Sequence, residues 1–280
     1  MEFLDQPMLR AIWPALLAAL VLAGLFGRIS GARAAGIAVP IGFLIAAWVL
    51  VGLPEWPPAS AQGRMLYSVA ALGLLGFVFD LLRLDGAALR GTIALAVAVA
   101  LVWVALPVFQ RMDWLDMGIV FLIAILAASL LPGLQGGVEA GPEAAAVLAV
   151  LSVGVATLAI LGGSASTAEM AGALAAAFLG WALWCWPRPR YAPGAAFLMG
   201  GGGALALLVA SFVLFGPGEA WAFLVLPFGF AAPRFARALP LPRGAVGQAL
   251  LPILVALIAA IPALAAIGIA SLTGRGGYGY

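Results

Sequence analysis

Ten apolar runs divide this chain, and nine of them approach the length needed to cross a bilayer. They fall at about residues 11–27, 35–53, 65–82, 91–109, 117–132, 144–162, 168–186, 194–215, 220–233 and 247–271. At ~1.5 Å per residue, about 20 apolar residues span the ~30 Å hydrocarbon core as a helix. In lipid every backbone N–H and C=O needs a partner inside the protein, so only helices and closed barrels can span. The period-2 alternation of a membrane barrel is absent, which leaves helices. The expected fold is all-α: a polytopic helical membrane protein of about ten transmembrane helices, forming a single domain over residues 1–280.

Composition agrees. The chain is 65% hydrophobic and 9% charged, where a water-facing globule keeps about 25% charged residues. Mean hydropathy is +1.18. Connections between runs are short, which makes sequential helices antiparallel neighbours. The ninth run, Trp221 to Ala232, is short and carries Pro227, so it reads as a broken or re-entrant helix.

All thirteen basic residues are Arg, and their placement sets an orientation. Loops after runs 1, 3, 7 and 9 carry Arg28, Arg33, Arg83, Arg90, Arg188, Arg190, Arg234, Arg237 and Arg243. The other side carries Arg10, Arg64, Arg111 and Arg275. The positive-inside rule then puts the first group in the cytoplasm and both termini on the periplasmic side of a bacterial inner membrane. The acidic start Met1-Glu2-Phe3-Leu4-Asp5 lacks the positive region of a signal peptide, so the first helix is expected to be retained. Trp181, Trp184 and Trp186 cluster at the inner end of run 7, as expected for headgroup-level anchors. A faint parallel repeat relates runs 1–4 to runs 7–10, through Arg-led starts and Gly-Pro-Glu-Trp-like ends.

Candidate functional residues are few. Gly200, Gly201, Gly202 and Gly203 lie near the middle of run 8. Each costs up to ~1 kcal/mol against Ala in a helix. Four together either unwind the helix to expose backbone groups to a substrate or let another helix pack closely; close packing is the favoured reading. Asp80 stands near the inner end of run 3, where a carboxylate suggests an ion or proton path. Arg83 three residues on offers an interfacial ion pair, the favoured reading. Pro227 and Gln248, with the glycine run, make runs 8 to 10 the expected irregular region and a candidate substrate path.

Other polar groups read as structural. Ser166-Thr167-Ala168-Glu169 has the spacing of a capping box. Pro142-Glu143 reads as a helix start, with Glu139 and Glu143 expected in a solvated loop. Asp113 and Asp116, joined by Glu55 or Glu219, form a weak candidate cation site.

Absences exclude more chemistry than the motifs support. The chain has no Lys, His or Asn and a single cysteine, Cys185. That removes His-ligated haem and metal centres, Schiff-base lysines and intramolecular disulfides. No P-loop or dinucleotide fingerprint is present, and no Arg-rich run suggests nucleic acid. Size and helix count resemble small drug/metabolite exporters of ten spans, with no motif matching; outside termini and a parallel repeat run against that family. The expected function is a transporter-like carrier of a small apolar or weakly polar molecule, non-enzymatic and free of cofactor or metal. The alternative is a non-catalytic subunit or assembly factor of a larger membrane complex.

Overall fold

The computed structural model describes residues 7–111, 114–215, 220–242 and 244–273. Among them the chain is helical and contains no strand. The helices are α1 (Pro7–Ile29), α2 (Ala38–Val51), α3 (Ala61–Leu81), α4 (Gly86–Val104), α5 (Leu106–Arg111), α6 (Trp114–Leu130), α7 (Gly141–Leu161), α8 (Ala165–Ala182), α9 (Gly203–Phe215), α10 (Ala220–Phe223), α11 (Ala232–Ala238) and α12 (Ala245–Thr273). A 3₁₀ turn leads into α2, and a π-helix over Phe197–Gly202 runs straight into α9.

Eight helical stretches among the described residues are long and apolar enough to cross a membrane. The protein is therefore an integral, multi-pass helical membrane protein. Runs 7 and 9 behave differently from these eight. α8 is 18 residues long, but Ser166, Thr167 and Glu169 dilute its N-terminal third. Residues 220–238 are broken into α10, a 3₁₀ turn over Leu226–Ala231 and α11, with Pro227 and Pro233 each opening a new piece. The missing proline N–H interrupts the helical ladder at both points.

α8 is the centre of one half of the bundle, packed by α1, α2 and α7. Small residues allow this. Along α1, Ala11, Ala15, Ala19 and Ala23 recur every fourth position and are fully buried, while Trp13, Leu17, Val21 and Leu25 face outward. Residues four apart share a helix face. Gly180 of α8 sits against the Leu16 carbonyl of α1, and Gly42 of α2 has room for no Cβ beside the Ala15 carbonyl, at 2.8 Å. Without a hydrophobic drive between helices in lipid, such close backbone approach is what gives van der Waals contact.

The second half is built on α3, α4, α6 and α9, with α3 lying along the π-helix. α12 packs on α7 and on the broken segment, despite Pro252 and Pro262 in its interior. Helix starts follow local chemistry. Ser60 accepts a hydrogen bond from the Gly63 amide at 3.0 Å at the start of α3. Pro142 opens α7, with Glu143 in its first turn as expected. The expected capping box does not form: α8 begins at Ala165, and Ser164 before it makes no side-chain bond to a helix amide but donates its hydroxyl to Thr167 Oγ1 at 2.8 Å. Ser166 is inside the helix, so it cannot cap it.

Candidate functional site

The glycine run is wound, not unwound. Residues 197–202 form a π-helix, and Gly200, Gly201, Gly202 and Gly203 are all buried. A Cβ on Gly200 would meet Pro40 at 2.7 Å and Gly73 Cα at 2.9 Å. One on Gly201 would meet Phe178 and Val39 at 2.9 Å, and one on Gly202 would meet Leu131 at 2.5 Å. Successive glycines thus face different neighbours, so no single face accounts for the run. The wide π turn brings the main chain against α2, α3 and the Phe178 ring of α8 on several sides at once. All four are closely packed, and Gly202 also lines a cavity described below.

Asp80 closes the start of the same helix. Its Oδ1 accepts from the Ala195 amide at 2.7 Å, and its Oδ2 from the Ala196 amide at 2.9 Å. First-turn amides have no partner within their own helix, and a carboxylate satisfies both their hydrogen bonds and the positive end of the dipole. The fit is tight. A Cβ on Gly194 would lie 2.5 Å from Asp80 Oδ1, and one on Gly76, a turn earlier on α3, would lie 2.6 Å from Ala196 N and Cα. The expected Asp80–Arg83 pair does not form. Arg83 turns away with a φ of 53° as α3 ends, while Arg33 pairs with Asp85 at 2.8 Å. Asp80 lines neither of the cavities described next.

Two cavities flank the broken segment. The first, of about 420 Å³, is an apolar cleft between α6, α7, α9 and residues 223–230; Gly118, Ile119, Val155 and Gly202 contribute to its wall. The second, of about 1240 Å³, holds polar groups: Glu139, Glu143, Arg234, Arg237 and Gln248. Leu126, Leu130, Leu224, Pro227 and Phe230 belong to both walls. Three of the four regions of the candidate path therefore converge here, since Gly202 and Pro227 line the cleft and Gln248 the polar cavity. Pro227 stands at the junction because it opens the 3₁₀ turn that separates α10 from α11.

Glu143 is not in a solvated loop. It is 3% exposed, at the wall of the polar cavity. Arg237 Nε donates to its Oε1 at 3.3 Å, and Arg237 Nη2 lies 2.9 Å from Oε2, within ion-pair range but off hydrogen-bond alignment. The sequence reading missed this because the partners are 94 residues apart. Arg237 is half exposed, so Arg237→Ala is expected to cost about 1–2 kcal/mol, mostly by stranding a buried carboxylate. Adding Glu143→Gln should recover most of that loss in thermal unfolding of the detergent-solubilised protein. Equal loss in the single and double variants would show that the pair does not hold α7 to α11.

The tryptophan cluster divides. Trp186 is exposed and donates to the Ala249 carbonyl at 3.0 Å; Trp184 donates to the Leu20 carbonyl at 2.7 Å. Trp181 is not an interfacial anchor: it is fully buried, 4.6 Å from the Phe197 ring, with its indole N–H unpartnered. Beside it, burial pushes the Tyr191 hydroxyl above the ordinary tyrosine range. Asp113 and Glu219 of the weak cation site lie outside the described residues, as does the side chain of Asp116. No cluster of three metal-ligating side chains occurs among the described residues. No protein-family model matches the chain, and no curated protein matches its sequence.

Proposed function

We propose that this protein is a transporter-like carrier of a small apolar or weakly polar molecule in the bacterial inner membrane, acting without enzymatic chemistry. The observation that carries the reading is the shared wall of the two cavities at Pro227, which aligns an apolar cleft with a polar chamber. The cleft is of the size that small ligands occupy, about 300–1,000 Å³. The irregular backbone of residues 220–238 lines that cavity, which is where non-helical backbone is tolerated at membrane depth.

Ten crossings fit this reading. Phe223, at one end of the broken segment, stacks 5.3 Å from Phe212 near the end of α9, while Arg237 at the other end pairs with Glu143 at the start of α7. That supports a segment passing from one end of the bundle to the other. The nine-to-four Arg asymmetry then supports cytoplasmic odd loops and periplasmic termini. The parallel repeat has support from α1 against α8 and from α2 against the π-helix, although α3 is continuous where its counterpart is broken.

Gly118 supplies the test. It lines the cleft, and a Cβ there meets nothing within 4 Å. Gly118→Trp is expected to fill the cleft without disturbing the fold. Proteoliposomes loaded with a mixture of weakly polar bacterial metabolites would be followed by mass spectrometry. Protein-dependent loss of particular solutes, slowed at least tenfold by Gly118→Trp, is the expected result (about 1.4 kcal/mol). Loss no faster than from empty vesicles would sink the carrier reading. A protein that then purifies with a stable partner would favour the subunit reading, with the apolar cleft as the partner's seat.

A further inference from the structure

We infer that the two cavities together bind one zwitterionic amphiphile, with its acyl chain in the apolar cleft and its headgroup in the polar chamber. This rests on the proposed reading of the cavities as a ligand path, and it names the ligand class. The apolar cleft is walled by aliphatic and aromatic side chains, and the charged groups are confined to the chamber. A ligand filling both must be apolar at one end and charged at the other. An acyl chain that moves into such a cleft from lipid has already left water and gains little. Selection therefore falls on the headgroup.

The chamber holds two acids and two arginines. Glu143 and Arg237 neutralise one another. What is left is one charge of each sign. Arg234 and Glu139 are exposed to the chamber, and neither forms an ion pair among the described residues. A headgroup bearing only a negative charge would pair with Arg234 and meet Glu139 unfavourably, and a cationic one would do the reverse. A phosphate joined to an ammonium satisfies both. Phosphoethanolamine has that chemistry.

Native mass spectrometry of the full chain tests it, with phosphatidylethanolamine and phosphatidylglycerol supplied in equal amounts. Retention of phosphatidylethanolamine at least fivefold over phosphatidylglycerol is expected. Glu139→Gln should bring the two lipids to parity by removing the group that disfavours a net anion. Arg234→Ala should lower retention of both. Gly118→Trp should lower retention of both without changing their ratio. Equal retention by the unaltered chain, or a ratio unmoved by Glu139→Gln, would overturn the inference. The outcome is separable from the carrier reading. Selective retention with no solute loss from proteoliposomes would leave a lipid site without carriage; solute loss with no lipid selectivity would leave a carrier for another ligand.

Discussion

Asp80→Ala is expected to lower stability by roughly 2–5 kcal/mol, because it strands two buried amides at once. The Ala195 and Ala196 N–H groups have no helical partner, and both cavities lie too far from Asp80 for it to line them. A domain's whole stability is about 5–15 kcal/mol, so the variant should unfold at a clearly lower temperature in detergent and accumulate poorly in membranes. Asp80→Asn keeps one acceptor but turns an amide NH₂ toward a backbone donor, so it should recover only part of the loss. Arg83→Ala is the control. Without a carboxylate partner it should stay within about 0.5 kcal/mol of the parent. If Arg83→Ala proves the more damaging change, the interfacial ion-pair reading is right and the capping geometry is wrong.

Gly76→Val is expected to cost about 3 kcal/mol, at the upper end for overpacking. The atoms it would strike are Ala196 N and Cα and Ala195 C, at 2.6 to 2.7 Å from the built Cβ. All are backbone, so no rotamer change can relieve the contact. The strain would pull α3 from the start of the π-helix and stretch the Asp80 hydrogen bonds. The two changes should therefore be non-additive: Gly76→Val in the Asp80→Ala background should cost less than it does alone. Gly91→Ala gives the opposite sign. Nothing lies within 4 Å of a Cβ there, so helix propensity acts unopposed and should stabilise by up to about 1 kcal/mol. Thermal unfolding of the four variants in one detergent would show whether the junction behaves as a unit. Strict additivity would mean that the Gly76 contact and the Asp80 cap act separately.

The helical membrane character was legible because apolar runs of spanning length leave the backbone no alternative. Run 9 announced its break through Pro227, and α7 announced its start through Pro142. What stayed hidden was pairing between distant segments. Asp80 was read against Arg83 because neighbours in sequence are the only partners a sequence displays, whereas its true partners are 115 and 116 residues away. Glu143 looked solvated for the same reason. Trp181 obeyed composition rules but not position rules, since a helix in the middle of a bundle has no headgroup level to present. One signal was available and unused: the four-residue recurrence of Ala11, Ala15, Ala19 and Ala23 marks the face of α1 that receives α8. Of the candidate path, Gly202, Pro227 and Gln248 meet at the cavities; Asp80 secures the helix whose later turn carries Gly202.

The central position of α8 and the broken state of residues 220–238 impose an order on biogenesis. α8 is polar for a lipid-facing helix, but α1, α2 and α7 are all synthesised before it. It can leave the translocon directly into a protein groove. Residues 220–238 find only part of their shelter waiting, in α7 and α9. Their main packing surface is α12, which emerges after them, and Arg234 and Arg237 resist movement into the bilayer. The segment is therefore expected to stay near the insertion machinery until α12 arrives and to pack with it. A nascent chain stopped before residue 245 would hold this segment exposed to surveillance proteases, while one stopped after residue 273 would not.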